Sequence, residues 1–524
     1  MAAPDARLTL VADEDPAAQA VSTSRALFES SPVAVLARAD DRAGMLLAAS
    51  AAVGLGVPML VEAARGDDAE LAEELDRLGA ETVLAVGEAD GPGTGEDSDD
   101  GPEVLVVPAD AEAVAEATGL ALDEAQTVAA DGDVAAVAGL DPEGPAALEA
   151  EDADATDADA TAAATQDAPD VDPLPEFPRA DPLDGAVVLA GTDASPAAVA
   201  TSRAAGALVQ PTDGSTDPRA SAGMVEALAA EGADAVIALG AGFAAEQGLD
   251  WKVETAATGT QLPGGGQLLF PGRMLIALYG HPGTGSLGVL GEQPLEAAIQ
   301  RARDHAAAYD PFVDVPVVPA FEIIATVAST EAGADGDYSN EADIEMLRPW
   351  VEAAGAAGVY VVLDLQPGRT DFVTQAELYR PLLELPHVGL ALDPEWRLGP
   401  NEVHLTQIGS VGVEEVNRVV TWLADLTREN ALPQKLLVLH QFRVDMLPGR
   451  EFLDMSRDEL AIMIHADGQG GQGAKQSTWE VLHRGAQPEL TWGWKNFYDE
   501  DLPMLTPQQT IEQVVPRPDL VTYQ

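Results

Sequence analysis

The 524-residue chain contains no cysteine. Disulfides, thiolate zinc sites and cysteine nucleophiles are therefore excluded. Lysine is scarce, with only Lys252, Lys435, Lys475 and Lys495. Lys+Arg 27 stand against Asp+Glu 89, a formal net charge of −62. There is no basic run and no basic patch with interleaved aromatics. Phosphate binding needs such a surface, so nucleic acid is not an expected partner. No run of about 18 apolar residues exists, so no membrane span is expected. The opening Met1-Ala-Ala-Pro-Asp-Ala-Arg has no apolar core of signal-peptide length. The expectation is either a cytoplasmic chain or one whose leader has been removed.

What the chain has in abundance is negative charge. A surface of this kind repels itself at low ionic strength. At 1 M salt the Debye length falls to roughly 3 Å and the repulsion is screened. The composition fits a halophilic organism, and it equally fits an acidic secreted protein of an Ala-rich, high-GC bacterium. The hydrophobic fraction of 46% is ordinary, and the length allows two or three cores.

The two halves differ in kind. Residues 1–269 carry 10 basic and 52 acidic residues; residues 270–524 carry 17 and 37. All seven histidines, all seven tyrosines and six of the seven tryptophans follow residue 270. An active site needs acid, base and shaped contacts, so chemistry is expected only in the second half. In the first half, short apolar runs such as Val33-Ala-Val-Leu-Ala, Thr82-Val-Leu-Ala-Val and Ala186-Val-Val-Leu-Ala alternate with helical stretches. That alternation predicts parallel α/β layers. The phrases LDRLGAETVLAVG (75–87) and LAAEGADAVIALG (228–240) are near copies, which indicates an internal repeat. Residues 141–184 are low-complexity and strongly acidic, and are expected to form a disordered linker. The expected organisation is an α/β repeat (1–140), the linker (141–184), a second α/β repeat (185–269) and a larger domain (270–524).

ARADDRAGMLLAASAAVGLGVPMLVE (37–62) with ELDRLGAETVLAVGE (74–88) resembles the cell wall-binding repeat 2 family. The resemblance covers about 33–90 and 185–245. Gly87-Glu88 and Gly240-Ala241 stand where that family has Gly-Gly. The resemblance implies non-covalent attachment to an anionic wall polymer, and hence an extracellular or wall-associated location. The same alternation also fits a generic Rossmann-like layer. No G-x-G-x-x-G follows the first strand, so a dinucleotide fingerprint is not supported.

After residue 270, seven apolar runs each end in polar or aromatic groups. They deliver His281, Glu322, Asp364, Asp393 with Glu395, His440, His465 with Asp467, and Lys495. Seven or eight strand–helix units in about 250 residues predict a (β/α)8-like barrel, whose active face lies at the C-terminal strand ends. The expected fold class is thus N-terminal Rossmann-like parallel α/β repeats followed by that barrel. Unpaired buried charge is costly, so polar groups converging on one rim point to function.

Two carboxylates flanking a glycosidic bond can act as acid and as base or nucleophile. The candidate proton donor is Glu395, with Asp364 or Glu322 as partner and Asp393 as a further candidate. His281, His440, His465, Asp467 and Lys495 are candidate substrate contacts. Trp396, Trp492, Trp494 and Tyr498 are candidate stacking platforms. In architecture and residue type this half resembles barrel glycoside hydrolases, which implies a polysaccharide or cell-wall polymer as partner. A non-catalytic glycan-binding or envelope protein is the first alternative. A metal-dependent hydrolase using His281, His440, His465, Asp364 and Asp467 is the second, although no H-E-x-x-H spacing supports it. No cofactor and no metal is expected. No G-x-S-x-G elbow exists, so a serine hydrolase is not expected.

Overall fold

A computed structural model of the chain describes residues 1–64, 69–91, 101–151 and 172–524. They divide into two compact units: Met1–Pro218 with Glu226–Val253, and Arg219–Val225 with Glu254–Gln524.

The first unit contains two four-stranded, all-parallel sheets. One runs Met59–Glu62, Val33–Arg38, Thr82–Val86, Glu103–Val107 in spatial order. The other runs Leu8–Val11, Ala235–Leu239, Ala186–Ala190, Leu208–Pro211. The two similar phrases each end in a strand beside the first apolar run of their own segment. Leu8–Val11 has no counterpart in the sequence reading, because four residues are too few to show a period. The stretch read as linker contains the strand Ala146–Ala150, which pairs in parallel with Asp123–Val128. Residues 152–171 of that stretch lie outside the described residues.

Helix Arg42–Leu55 is central to this unit. Asp41 caps it by accepting the Gly44 N–H at 2.9 Å, and Gly56 ends it with φ 71°. Every residue from Gly44 to Leu55 is buried, as expected of a helix that is apolar all round. It packs against helix Pro196–Ala204. Helix Ala69–Leu78 is amphipathic but buries one charge, Glu74. That carboxylate accepts from Ser24 Oγ at 2.6 Å and pairs with Arg77 Nη2 at 2.7 Å and Arg25 Nε at 3.1 Å.

The second unit is a closed barrel of eight parallel strands: β1 (Met274–Gly280), β2 (Val317–Ala328), β3 (Tyr360–Leu365), β4 (Val388–Leu392), β5 (Lys435–Gln441), β6 (Leu460–Ala466), β7 (Thr491–Asn496) and β8 (Leu520–Tyr523). Neighbours in sequence are neighbours in the sheet, and β8 pairs with β1 to close it. β2 continues beyond its neighbours to pair antiparallel with Ser339–Glu341. Helices Leu295–Ala307, Ile344–Ala356, Phe372–Leu378 with Arg380–Leu383, Val413–Glu429, Gln472–His483 and Pro507–Gln513 form successive crossovers. Between β5 and β6 the described residues hold only the 3-10 turns Val444–Met446 and Arg450–Phe452. The eighth strand was not among the apolar runs that sequence reading identifies: Leu520-Val-Thr-Tyr is short and carries no charged residue at its end.

Alternation along each strand sorts the side chains. Leu275, Ala277, Val318, Ala320, Val362, Ala391, Val438 and Met463 point inward and form the interior core, joined by Leu262 and Leu269 from the preceding segment. Ile276, Phe321, Leu363, Leu390, Leu439, Ile464 and Trp494 point outward into the layer shared with the helices. Moving up each strand from that apolar interior, the same inward parity brings Tyr279, Glu322, Asp364, Asp393, His440, His465, Lys495 and Thr522 into the barrel's upper end.

The Glu74 cluster yields a pH prediction. Burial alone would raise the Glu74 carboxyl, but Arg77, Ser24 and Arg25 together hold it below its ordinary value of 4.5. A depressed carboxylate contributes stability that is present above its unfolded value and lost as pH falls through its folded one. Glu74→Gln is expected to destabilise the first unit by about 1.5–3 kcal/mol at pH 7. The gap to wild type should close as pH drops below 4.5. Hydrogen exchange of the helix Ala69–Leu78 amides, followed through urea titrations at several pH values, checks this. A gap that is constant with pH would contradict it.

Candidate active site

His440 is the hub of the polar layer. Its Nε2 lies 2.7 Å from Glu322 Oε1 and 4.0 Å from Asp364 Oδ1. Its Nδ1 lies 3.2 Å from Asp467 Oδ2, an ion-pair contact away from the hydrogen-bonding line. The other Asp467 oxygen is 3.1 Å from Lys495 Nζ. Lys495 Nζ in turn sits 3.7 Å from the Tyr279 ring centroid, and Tyr279 Oη donates to Asp364 Oδ2 at 2.8 Å. Beside His440, in register on the next strand, His465 places its ring 4.8 Å away and its Nε2 3.1 Å from Thr522 Oγ1. Gly493 on β7 makes room for that ring: a Cβ there would lie 2.5 Å from His465 Cδ2.

The loops above are tied to this layer. Lys475 Nζ donates to Lys495 O at 2.6 Å and Gly468 O at 2.8 Å, and pairs with Asp501 at 2.8 Å. Asp501 also accepts the Gly470 N–H at 2.9 Å. The Gly-rich turn after β6 is therefore anchored by side chains. Asp393 accepts the Glu395 N–H at 3.2 Å and so caps the short turn Pro394–Trp396. Gln366, just past β3, accepts the Ala328 N–H at 2.9 Å.

Burial and charge divide the acids into two states. Burial opposes ionisation of Asp467, but Lys495 and then His440 outweigh it and hold the carboxyl well below the usual carboxylate range. Glu322 is likewise lowered, because the charge and hydrogen bond of His440 outweigh its burial. Asp364 goes the other way: burial, with Glu322 nearby, pushes it up to about 6. Burial and then the charge of Asp364 raise Asp393 well above its ordinary value. Glu395 is raised by burial and then by Asp467. Among the bases, burial lowers His465 to about 3 and keeps it neutral. His440 is raised well above 6.5, because Glu322 and Asp467 outweigh its burial.

A cleft of about 480 Å3 opens over this layer. Asp393, Glu395, Asp467, Lys495, Tyr279, Gln366 and Trp396 line it, with Phe442 and Phe497 as apolar walls. Glu322, Asp364, His440 and His465 are fully buried and lie outside that lining. His281 sits on the rim turn, where its Nδ1 accepts the Gly283 N–H at 3.0 Å. Trp492 and Trp494, read from the sequence as stacking platforms, face outward instead. Trp494 packs against Trp479, and Trp492 stacks on His483 with ring centroids 3.4 Å apart. Strand alternation is the reason: in Trp492-Gly-Trp-Lys495 the residue that faces in is Lys495. The same rule, applied to β1, would have found Tyr279, which the sequence reading passed over in favour of His281.

Glu322, His440 and His465 offer ligand atoms that all lie within 4.8 Å of one another, a set able to hold a metal ion. Asp335, Asp337 and Glu341 form a second, more exposed group of this kind.

No protein-family model and no curated protein matches the chain. Among solved structures, the chain is similar to Cwp6 from Clostridium difficile, with a TM-score of 0.31 and 13% identity. The match covers 69% of this chain and 63% of that one, less than two thirds of its length.

Chemically, the arrangement offers one cleft with a carboxyl biased toward protonation, Glu395, and a carboxylate held ionised, Asp467. Its integrity depends on His440. Removing one partner of a buried ion pair costs about 3–5 kcal/mol, because the remaining charge stays buried. His440→Gln is expected to destabilise the barrel by that amount. The Glu322→Gln/His440→Gln double variant should lose less than the sum of the singles by more than about 1 kcal/mol. Denaturation read by tryptophan fluorescence checks both, since six of the seven tryptophans lie in the barrel half. Strict additivity would show that the pair is not coupled.

Proposed function

We propose that the barrel is a carbohydrate-active domain that cleaves a glycosidic bond, with Glu395 as general acid and Asp467 as its ionised partner. The observation that carries this reading is that both carboxyls line one cleft at the C-terminal strand ends. Their opposed environments support it, because one site then holds an acid and a base at the same pH. Glu395 gives its proton to the glycosidic oxygen as the C–O bond breaks. Asp467 attacks the anomeric carbon or takes a proton from the attacking water. Asp364 and Glu322, the partners suggested by sequence, act from below: Glu322 holds His440, and His440 with Lys495 holds Asp467. Trp396 offers an apolar face in the same cleft. The first unit is read as the part that holds wall polymer, on the resemblance of residues 33–90 and 185–245, and a cell-surface location goes with that reading. That half is strongly acidic, so contact with an anionic polymer requires salt or bridging cations.

The test is release of reducing ends by the full chain at high salt, over a panel of wall and plant polysaccharides. Glu395→Gln and Asp467→Asn are each expected to lower kcat by about 10²–10⁴-fold. Unchanged folding of both variants, checked by circular dichroism, is part of the test. The alkaline limb of the wild-type pH profile should lie above the ordinary glutamate value of 4.5, since Glu395 is raised. Glycan binding without any release would identify a non-catalytic binding protein instead.

A second reading is supported by Glu322, His440 and His465: a metal-dependent hydrolase. Elemental analysis after zinc loading and desalting decides it. One equivalent of zinc, lost in His465→Ala, together with chelator-sensitive hydrolysis, would replace the glycosidase reading. Chelator-resistant hydrolysis would retire the metal.

A further inference from the structure

A second cleft of about 410 Å3 adjoins the first, sharing Ser286, Gln469, Phe497 and Gln524 with it. Its distinctive feature is Tyr498, which is 36% exposed. The ring is held in place from several sides. Its Oη lies 2.7 Å from His305 Nε2, its backbone N–H donates to Gln524 O at 3.0 Å, and the Arg301 guanidinium stands 5.8 Å from the ring centroid. An aromatic ring fixed before binding loses little freedom when a sugar stacks on it. Acids outnumber bases in this lining, with Glu292, Asp499 and Glu500 against Arg301. Arg301 is engaged by Glu292 at 2.7 Å and Gln293 at 2.8 Å, which leaves Asp499 and Glu500 exposed in the lining. In the first cleft, Lys495 is likewise engaged by Asp467.

We infer that the two clefts form one extended groove for a glycan of several sugar units, whose remote units stack on Tyr498 and carry no negative charge. This rests on the glycan reading of the first cleft and adds the polymer's length and charge. A uronate or phosphate-bearing chain would bring like charge against Asp499, Glu500 and the carboxyls of the first cleft. Neutral chains escape that repulsion, and chains of protonated amino sugars are attracted at low salt.

The experiment is calorimetric titration of the full-length Glu395→Gln variant with defined oligosaccharides. The probes are a chitosan dimer and hexamer, cellobiose and cellohexaose, and a galacturonate hexamer. The expected result is that one of the non-anionic hexamers binds at least about tenfold tighter than its dimer. Adding Tyr498→Ala should lower hexamer affinity about tenfold and dimer affinity much less. The galacturonate hexamer should not bind. The inference is overturned if no probe binds, if length makes no difference, if Tyr498→Ala weakens dimer and hexamer equally, or if the galacturonate binds best. Wild-type protein assayed on the same oligomers separates the two claims. Length-dependent, Tyr498-dependent binding without cleavage would sink the hydrolase and keep the groove, whereas cleavage without length dependence would do the reverse.

Discussion

The barrel's upper layer depends on one imidazolium. Glu322, Asp364, Asp393 and Asp467 converge in a layer that is almost wholly buried, and ionised carboxylates cannot share such a space without cations. His440 faces three of them, at 2.7, 3.2 and 4.0 Å. Lys495 supplies the second positive charge, against Asp467. Two cations cannot neutralise four carboxylates, so the layer settles with Glu322 and Asp467 ionised while Asp364 and Asp393 are pushed toward their protonated forms. The division of labour among the acids thus follows from how few bases reach the interior.

Strand alternation decides which residues reach it. An inward position at the bottom of a strand fixes every second residue above it. Val318 and Ala320 commit Glu322, Leu436 and Val438 commit His440, and Ala461 and Met463 commit His465 and Asp467. In the lower interior Gly389 leaves room for the Tyr360 hydroxyl, and higher up Gly493 leaves room for His465. The polar layer therefore rests on a floor of ordinary packing, and a one-residue slip in a strand would turn its inward polar group to the outer face.

The same rule explains what was legible in the sequence. Seven of the eight barrel strands are apolar runs long enough to stand out, and their terminal polar residues could be named one by one. β8 could not, because Leu520-Val-Thr-Tyr has neither length nor a charged terminus. Trp492 and Trp494 look like sugar platforms from their type alone, and only parity assigns them to the outer layer. Asp467 was visible as a strand-end carboxylate, but not as the one held ionised in the cleft beside Asp393 and Glu395, because that state comes from contacts with His440 and Lys495 on neighbouring strands. In the first unit, the alternation of strands and helices was legible, whereas the pairing of Leu8–Val11 with Ala235–Leu239 joins residues more than two hundred positions apart. Local periodicity carries no information at that separation.

Surface charge and buried charge obey different rules here. The formal net charge is −62, and most acids among the described residues reach solvent, where salt at about 0.15 M screens interactions beyond roughly 8 Å. The contacts of His440 and Lys495 lie within 4 Å and away from solvent, where screening is weak. Raising the salt therefore relieves repulsion across the surface while leaving the protonation pattern of the cleft nearly intact. An acidic exterior can then be tuned to the ionic strength of the surroundings without altering the chemistry beneath it, because the cluster carries its own cations inside the barrel.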